Sequence, residues 1–405
     1  MVNVAILGFG TVGSGVAEVL TGHEQSISQK LNDFIQLKYI LDVREFPDSP
    51  FAGKFVKDFA VIEQDPSVDI VVETIGGATV ALDFTRRALE AGKSVVTSNK
   101  ELVAEHGYDL IQLAKSKGGS YLFEASVGGG IPIIRPLAQC LAANEILEIC
   151  GILNGTTNYI LTRMIRAGLS FEAALKEAQE KGYAERDPSA DIEGHDACRK
   201  ICILAAIAFG RHIYPSQVPT EGITKVSLAD VDYADAAGKK VKLLGRAIRD
   251  SKTGKVCAYV APHLVDGSNP LSGVEDVFNA ITVKGDATGD VMFYGRGAGK
   301  LPTASAVVAD VIDAAKHIHS RKYLEWGPGG EDVTEDPAQL ACRWYIRATG
   351  TNDYLRAVLG ELEALARRGS VGDEVACITV HRMTRAELEV KLAGVNVLSV
   401  MRVLD

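Results

Sequence analysis

The chain has 405 residues, 47% hydrophobic and 23% charged, with 43 Lys and Arg against 52 Asp and Glu and a formal net charge of −9. At about 150 residues per domain this is material for two to three globular domains, and the composition excludes a disordered, collagen-like or low-complexity chain. The acidic balance and the lack of any basic cluster exclude a general affinity for nucleic acid or anionic lipid.

The first third alternates strand and helix. Residues 4–7 read as an apolar strand, followed by Gly8, Gly10 and Gly13 and helix-compatible residues to Leu20. Strands follow at 39–42, 69–74, 94–97 and 121–123. Helices fill 82–91 and 101–117, ended by Gly92 and Gly118-Gly119. This alternation with Gly-marked turns predicts an α/β architecture built on a Rossmann-type, doubly wound parallel sheet. It places a dinucleotide-binding domain at 1–135, with a return of the helix begun at Pro302 over about 300–320.

The middle changes character. A strand at 146–153 leads to a polar cluster at 154–158, then helices at 159–166 and 171–181, the second with Ser170 as N-cap. A polar loop at 182–191 opens a third helix ending near Phe209. Strands at 256–260, 280–284 and 291–294 complete an α+β substrate and oligomerisation domain over 136–300. Trp326-Gly-Pro-Gly-Gly330 and the acidic residues up to Pro337 predict a linker over 321–338. Beyond it, 339–405 read as a small α/β domain: strand 344–348, helix 354–368, strand 375–380, helix 385–392 and strand 397–403.

The densest apolar run, 201–209, is closed by Lys200 and Arg211 and is too short to span a bilayer. The first Lys or Arg is Lys30, so the basic start of a secretory signal is missing. Seven cysteines without a C-x-x-C pair indicate free thiols and a reducing compartment.

Gly8-Phe9-Gly10-Thr11-Val12-Gly13 lies between a predicted strand and a predicted helix, the context a dinucleotide fingerprint requires. The glycines allow a tight turn and close backbone approach to a pyrophosphate, which the helix N-terminus stabilises. Asp42 at the second strand end favours the ribose hydroxyls of NAD, whereas Arg44 favours the 2′-phosphate of NADP; the sequence leaves both open. Thr97 and Lys100 sit at a strand end, where open α/β sheets bind ligands.

Asp196 and Lys200 are four apart and share one helix face. The ordinary reading of such a pair is a solvated surface contact. The apolar residues beyond Lys200, and Glu185 and Asp191 before it, favour a buried cluster instead. Carboxylates there suit an ammonium, and a lysine suits proton transfer to a carbonyl oxygen. His195, Cys198 and Cys202 share a face but lack a fourth ligand for zinc.

Together these blocks resemble homoserine dehydrogenase over about residues 1–320. The resemblance rests on the Gly8–Gly13 fingerprint, Val-Val-Glu73-Thr-Ile-Gly-Gly77, Ser98-Asn-Lys100, Glu124-Ala-Ser-Val127-Gly-Gly-Gly-Ile-Pro132, Asn154-Gly-Thr-Thr-Asn-Tyr159, the block 182–200, and Gly295-Arg-Gly-Ala-Gly299 with Pro302-Thr-Ala-Ser305. It implies reversible reduction of L-aspartate 4-semialdehyde to L-homoserine by NADPH or NADH. Lys200 is then the proton donor and Lys100 assists at the carbonyl. Glu185 and Asp196, with Asp191 and Gly182, hold the amino acid. Gly299 joins the cofactor side, and Glu124, Val127, Gly129 and Ile131 match a sodium site. The resemblance also implies a cytoplasmic homodimer or homotetramer. The tail is similar to an ACT domain and implies threonine as an effector, although only one strand is evident between its two helices. A nucleotide-sensing regulator, the competing reading, would need the glycines but not Lys100, Glu185, Asp196 and Lys200 together.

Overall fold

Short strands buried on both faces dictate a parallel sheet, and four-residue strands such as Ile70–Glu73 and Ser94–Thr97 are buried at every position. The computed structural model describes residues 1–319, 324–367 and 372–404, which divide into two compact units. The first contains 1–144, 202–215 and 296–330; the second contains 145–201, 216–295 and 331–405.

In the first unit β1 (Val2–Leu7), β2 (Ile35–Leu41), β3 (Phe55–Val56), β4 (Ile70–Glu73), β5 (Ser94–Thr97) and β6 (Tyr121–Leu122) form a sheet in the order β3-β2-β1-β4-β5-β6. Every pair is parallel. This is the dinucleotide-binding order, whose switch point lies between β1 and β4. Register brings Leu7 opposite both Leu41 and Glu73. The helices Thr11–Gly22 and Lys300–Lys316 share a core with the sheet, built from Val4, Ile6, Val16, Leu20, Val72, Val307 and Val311.

In the second unit β7 (Ile146–Ile152), β8 (Lys239–Arg249), β9 (Val256–Asp266), β10 (Phe278–Gly285), β11 (Gly289–Arg296), β12 (Trp344–Thr349), β13 (Leu362–Leu365), β14 (Glu374–Thr379) and β15 (Val397–Leu404) form one nine-stranded sheet. Its order is β11-β10-β7-β8-β9-β15-β12-β14-β13. The C-terminal segment is therefore joined edge to edge with the rest of the unit, through parallel pairing of Arg402–Leu404 with His263–Val265.

The helix expected over 354–368 is corrected here. It covers Asn352–Leu359 and stops at Gly360, whose φ of +88° suits glycine. Leu362–Leu365 then pairs antiparallel with β14, and this is the strand that the sequence reading lacked. The tail is thus βαββαβ in the order β15-β12-β14-β13, the ferredoxin-like arrangement.

Residue 320, at the end of the expected returning helix, residues 321–323 of the expected linker and Arg368 of the expected helix lie outside the described residues. In the first unit Trp326 Nε1 donates to His212 Nδ1 at 3.1 Å. In the second, Val256 exchanges backbone hydrogen bonds of 2.9 Å with Val333 and Glu335. These segments are tied down on their own units. No helix of the described residues is long and apolar enough to cross a membrane.

Candidate active site

The fingerprint turn is shaped by what stands around it. Gly8 has φ +88°, and a Cβ on Gly13 would lie 1.9 Å from the Gly8 carbonyl oxygen. The turn is pinned by Thr74, whose hydroxyl donates to the carbonyls of Leu7 and Gly8 at 2.9 Å. A Cβ on Gly10 would meet nothing within 4 Å, so the backbone is open there. The helix Thr11–Gly22 begins with no side-chain cap and no acidic residue in its first turn. Its first N–H groups and dipole suit a pyrophosphate, and the cradle fits a dinucleotide. Thr11 is exposed and Val12 half-buried, while Phe9 packs edge-on against Phe46, Phe51 and Phe55.

Asp42 and Arg44 form one unit rather than two alternatives. Asp42 accepts the Phe9 amide at 2.7 Å, the Arg44 amide at 2.8 Å and the Arg44 guanidinium at 3.0 and 3.1 Å. The Arg44 hydrogen bond, backed by both amides, holds this carboxyl down at about 2 against the cost of burial. The Asp42 side chain is 5% exposed, whereas that of Arg44 is 59% exposed and lies over the Phe46 ring at 5.1 Å.

At the ends of β4 and β5, Thr97 is fully buried and donates to Glu73 Oε2 at 2.6 Å. Asn99 caps the helix Lys100–Lys117 by accepting the Leu102 amide at 3.1 Å. Lys100, half-buried, is the first residue of that helix.

The second unit gathers the other cluster. Lys200 Nζ donates to Asp196 Oδ2 at 2.7 Å and to the Leu153 carbonyl at 2.8 Å. The bland surface reading of this pair fails, because both side chains are over nine-tenths buried. Asn154, the residue after Leu153, donates to Asp196 Oδ2 at 2.9 Å and to Asp191 Oδ1 at 2.6 Å. Its own Oδ1 accepts the Thr157 amide at 2.8 Å as the N-cap of the helix Gly155–Ala167. Burial first, and then the Asp196 charge, raise the Asp191 carboxyl above its ordinary value.

Asn154 is the member of this hydrogen-bonded cluster that sequence reasoning missed. It stood inside a quoted block with no role, and its only signal was a cap-type residue ahead of a helix. Glu185 makes no direct bond to the Lys200 cluster among the described residues. It is exposed, and among the described residues its carboxylate takes no hydrogen bond or ion pair; Gly182 is likewise exposed.

The expected cation site is corrected at its side chain. Glu124 is 2% exposed, and its carboxylate accepts the amides of Ile133, Ile134 and Arg135 at 2.7–2.8 Å and the Arg135 guanidinium at 3.3 Å. Those donors use the oxygens that a hard cation would need, so a sodium ion ligated by that carboxylate does not fit. Val127 and Ile131 are buried. Gly129 packs on the loop before the helix Lys300–Lys316, where a Cβ would lie 2.3 Å from the Gly297 oxygen; Gly299 caps that helix. Among the described residues no group of three or more His, Cys, Asp or Glu could hold a metal.

Two family profiles match the chain: one described as homoserine dehydrogenase, NAD binding domain, over residues 8–124, and one described as homoserine dehydrogenase over 132–312. Homoserine dehydrogenase of Neisseria gonorrhoeae is 40% identical, over 97% of this chain and 94% of its own length. That of Bacillus subtilis is 35% identical, over 99% and 96%. The crystal structure of a homoserine dehydrogenase from Thiobacillus denitrificans superposes with a TM-score of 0.89 at 33% identity, covering 100% of this chain and 98% of its own. A hyperthermophilic archaeal homoserine dehydrogenase, solved in complex with NADPH, matches 80% of this chain and 99% of its own with a TM-score of 0.68 at 29% identity.

Proposed function

The chain belongs to the homoserine dehydrogenase family, whose reaction is the reversible NAD(P)H-dependent reduction of L-aspartate 4-semialdehyde to L-homoserine, and on that premise we propose which residues perform it. The reaction lies on the route to threonine and methionine. The observation that carries our assignment is the buried Lys200–Asp196 pair, oriented by Leu153 and Asn154.

The nicotinamide, when bound, supplies hydride in reduction and takes it in oxidation. The protein's part is protonic. Lys200 gives a proton from Nζ to the aldehyde oxygen in reduction and takes one from the hydroxyl in oxidation. Asp196 directs Lys200 Nζ through their 2.7 Å hydrogen bond. Asp191 and Asp196 together outnumber the one lysine charge, which favours the ammonium of an amino-acid substrate. Glu185, with the turn at Gly182, contributes a further carboxylate to that ammonium. Lys100 assists at the carbonyl and contacts the cofactor.

Gly8, Phe9, Gly10, Thr11, Val12 and Gly13 cradle the pyrophosphate, with Thr97 and Gly299 beside it. We assign the cofactor as NADP in preference to NAD. The Asp42 oxygens are already taken by N–H donors, while Arg44 offers an exposed guanidinium to a 2′-phosphate. The archaeal relative with NADPH supports the same direction. A sodium ion near Val127, Gly129 and Ile131 would rest on carbonyls alone, and no step is assigned to it. The βαββαβ tail supports an ACT-like unit with threonine as its effector. The seven free cysteines support a reducing, cytoplasmic setting. A homodimer or homotetramer follows from the family resemblance.

The test is the initial rate of nicotinamide reduction with L-homoserine, with NADP and NAD in parallel, for the wild type and Lys200→Ala. NADP should be preferred, and the variant should lose about 10²–10⁴-fold in turnover while still binding NADP. Unchanged turnover in Lys200→Ala would remove Lys200 from the mechanism.

A further inference from the structure

A buried carboxylate at the end of β4 has no part in the chemistry described above. Glu73 is fully buried and, among the described residues, makes no ion pair. Its Oε1 accepts the Ile75 amide at 2.7 Å and its Oε2 accepts the Thr97 hydroxyl at 2.6 Å. The Thr97 oxygen in turn accepts the Asn99 amide at 2.9 Å. Asn99 donates to the Gly77 carbonyl at 2.6 Å and caps the helix that begins at Lys100. Hydrogen bonds therefore run unbroken from Glu73 to the start of that helix.

Two features set this apart from routine loop packing. Taking a carboxylate out of water without a cation is costly, and a neutral glutamine or an apolar residue would fill a purely structural position at less expense. Both oxygens are engaged, with the Ile75 amide and the Thr97 hydroxyl, and burial raises this carboxyl above its ordinary value despite those hydrogen bonds. The position is also specific. Glu73 pairs in register with Leu7, the residue before the fingerprint, at the switch point where such sheets bind ligands.

We propose that Glu73 is a positioning residue for hydride transfer, fixing through Thr97 and Asn99 the strand end and helix start that carry Lys100. The inference rests on the reading of Thr97 and Lys100 as cofactor-side residues.

The experiment compares the whole chain as wild type, Glu73→Gln, Thr97→Val, the double variant and Lys100→Ala. Glu73→Gln is expected to lower kcat about tenfold to a hundredfold, the scale of a misplaced reacting group. KM for homoserine should change less than kcat, because the carboxylates assigned to its ammonium, Asp191 and Asp196, are untouched. The double variant should be no slower than the slower single, since both substitutions cut the same link. Without cofactor, amide hydrogen exchange at Ile75 and Asn99 should accelerate about tenfold in Glu73→Gln. Unchanged exchange, or losses that multiply in the double variant, would overturn the inference. A slow Glu73→Gln beside an unaffected Lys100→Ala would retire the role of Lys100 and keep the link from Glu73 to Thr97. If Glu73→Gln does not fold, Thr97→Val reads the same link from its other end: wild-type kcat and Asn99 exchange there would overturn it.

Discussion

Lys200 Nζ lies 2.7 Å from Asp196 Oδ2, one helical turn away on the helix His195–Phe209, with side chains only 9% and 7% exposed. A pair in water at this spacing is worth a few tenths of a kcal/mol. A buried pair behaves differently, because removing one partner strands the other. Lys200→Met should destabilise the fold by about 3–5 kcal/mol, and adding Asp196→Asn should recover much of that loss. Denaturant midpoints of both singles and the double would show it. Simple additivity would contradict the coupling.

Asn154 has two tasks, so its loss has two readouts. Asn154→Ala removes a helix cap, worth about 1 kcal/mol of stability. It also removes the amide that joins Asp191 to Asp196, so KM for homoserine should rise while NADP binding stays unchanged. Asn154→Asp keeps the cap acceptor but sets a third carboxylate beside the other two. Like-charge repulsion in that buried cluster should keep the thermal midpoint below that of the wild type and leave KM unrestored.

Arg44 is expected to set the coenzyme ratio. Arg44→Ala should raise KM for NADP roughly tenfold, the value of one charge-assisted contact, and leave KM for NAD within about threefold. Steady-state kinetics with both coenzymes decides this, and equal losses would point to a stacking role for the side chain over Phe46.

His263 gives a pH prediction away from the chemistry. It is fully buried against Tyr259 and the Ala261 carbonyl, and burial, aided by the charges of Arg246 and Arg402, holds its imidazole at about 3. An unfolded histidine titrates near 6.5, so between about 6.5 and 3 the unfolded chain binds the extra proton. The stability contributed by the neutral ring is therefore complete above about 6.5 and is lost as pH falls, by at most about 1.4 kcal/mol per pH unit. Urea midpoints from pH 7 to 5 should show this slope, and His263→Gln should flatten it.

Much of the first unit could be read directly. Its strands are short, apolar and punctuated by glycine, so period and turn chemistry agree. The second unit hid more. β8 (Lys239–Arg249) opens with three lysines, Lys239, Lys240 and Lys242, that mask a strand buried at most positions, because Lys239 and Lys242 bury their stems and find partners. β13 was lost because Leu362–Leu365 continues an acceptable helical pattern, and Gly360 was the one local signal against it. Within the site, Asp196 and Lys200 were visible because four residues is a fixed geometric offset. The Asn154 bridge was not, since it spans 37 residues to Asp191 and 42 to Asp196 and depends on tertiary folding.

The placement of β15 bears on how the protein is made. This strand lies between β9 and β12, and the helix Lys300–Lys316 completes the core of the other unit. Neither unit is drawn from one continuous stretch of chain. During synthesis the β1-to-β6 sheet must wait for residues beyond 300 to cover it, and β9 keeps an open edge until residue 397 onward leaves the ribosome. A nascent chain of this protein thus spends most of its translation with an unpaired strand and uncovered apolar surface, and it is in that interval, more than after folding, that it most needs protection by chaperones.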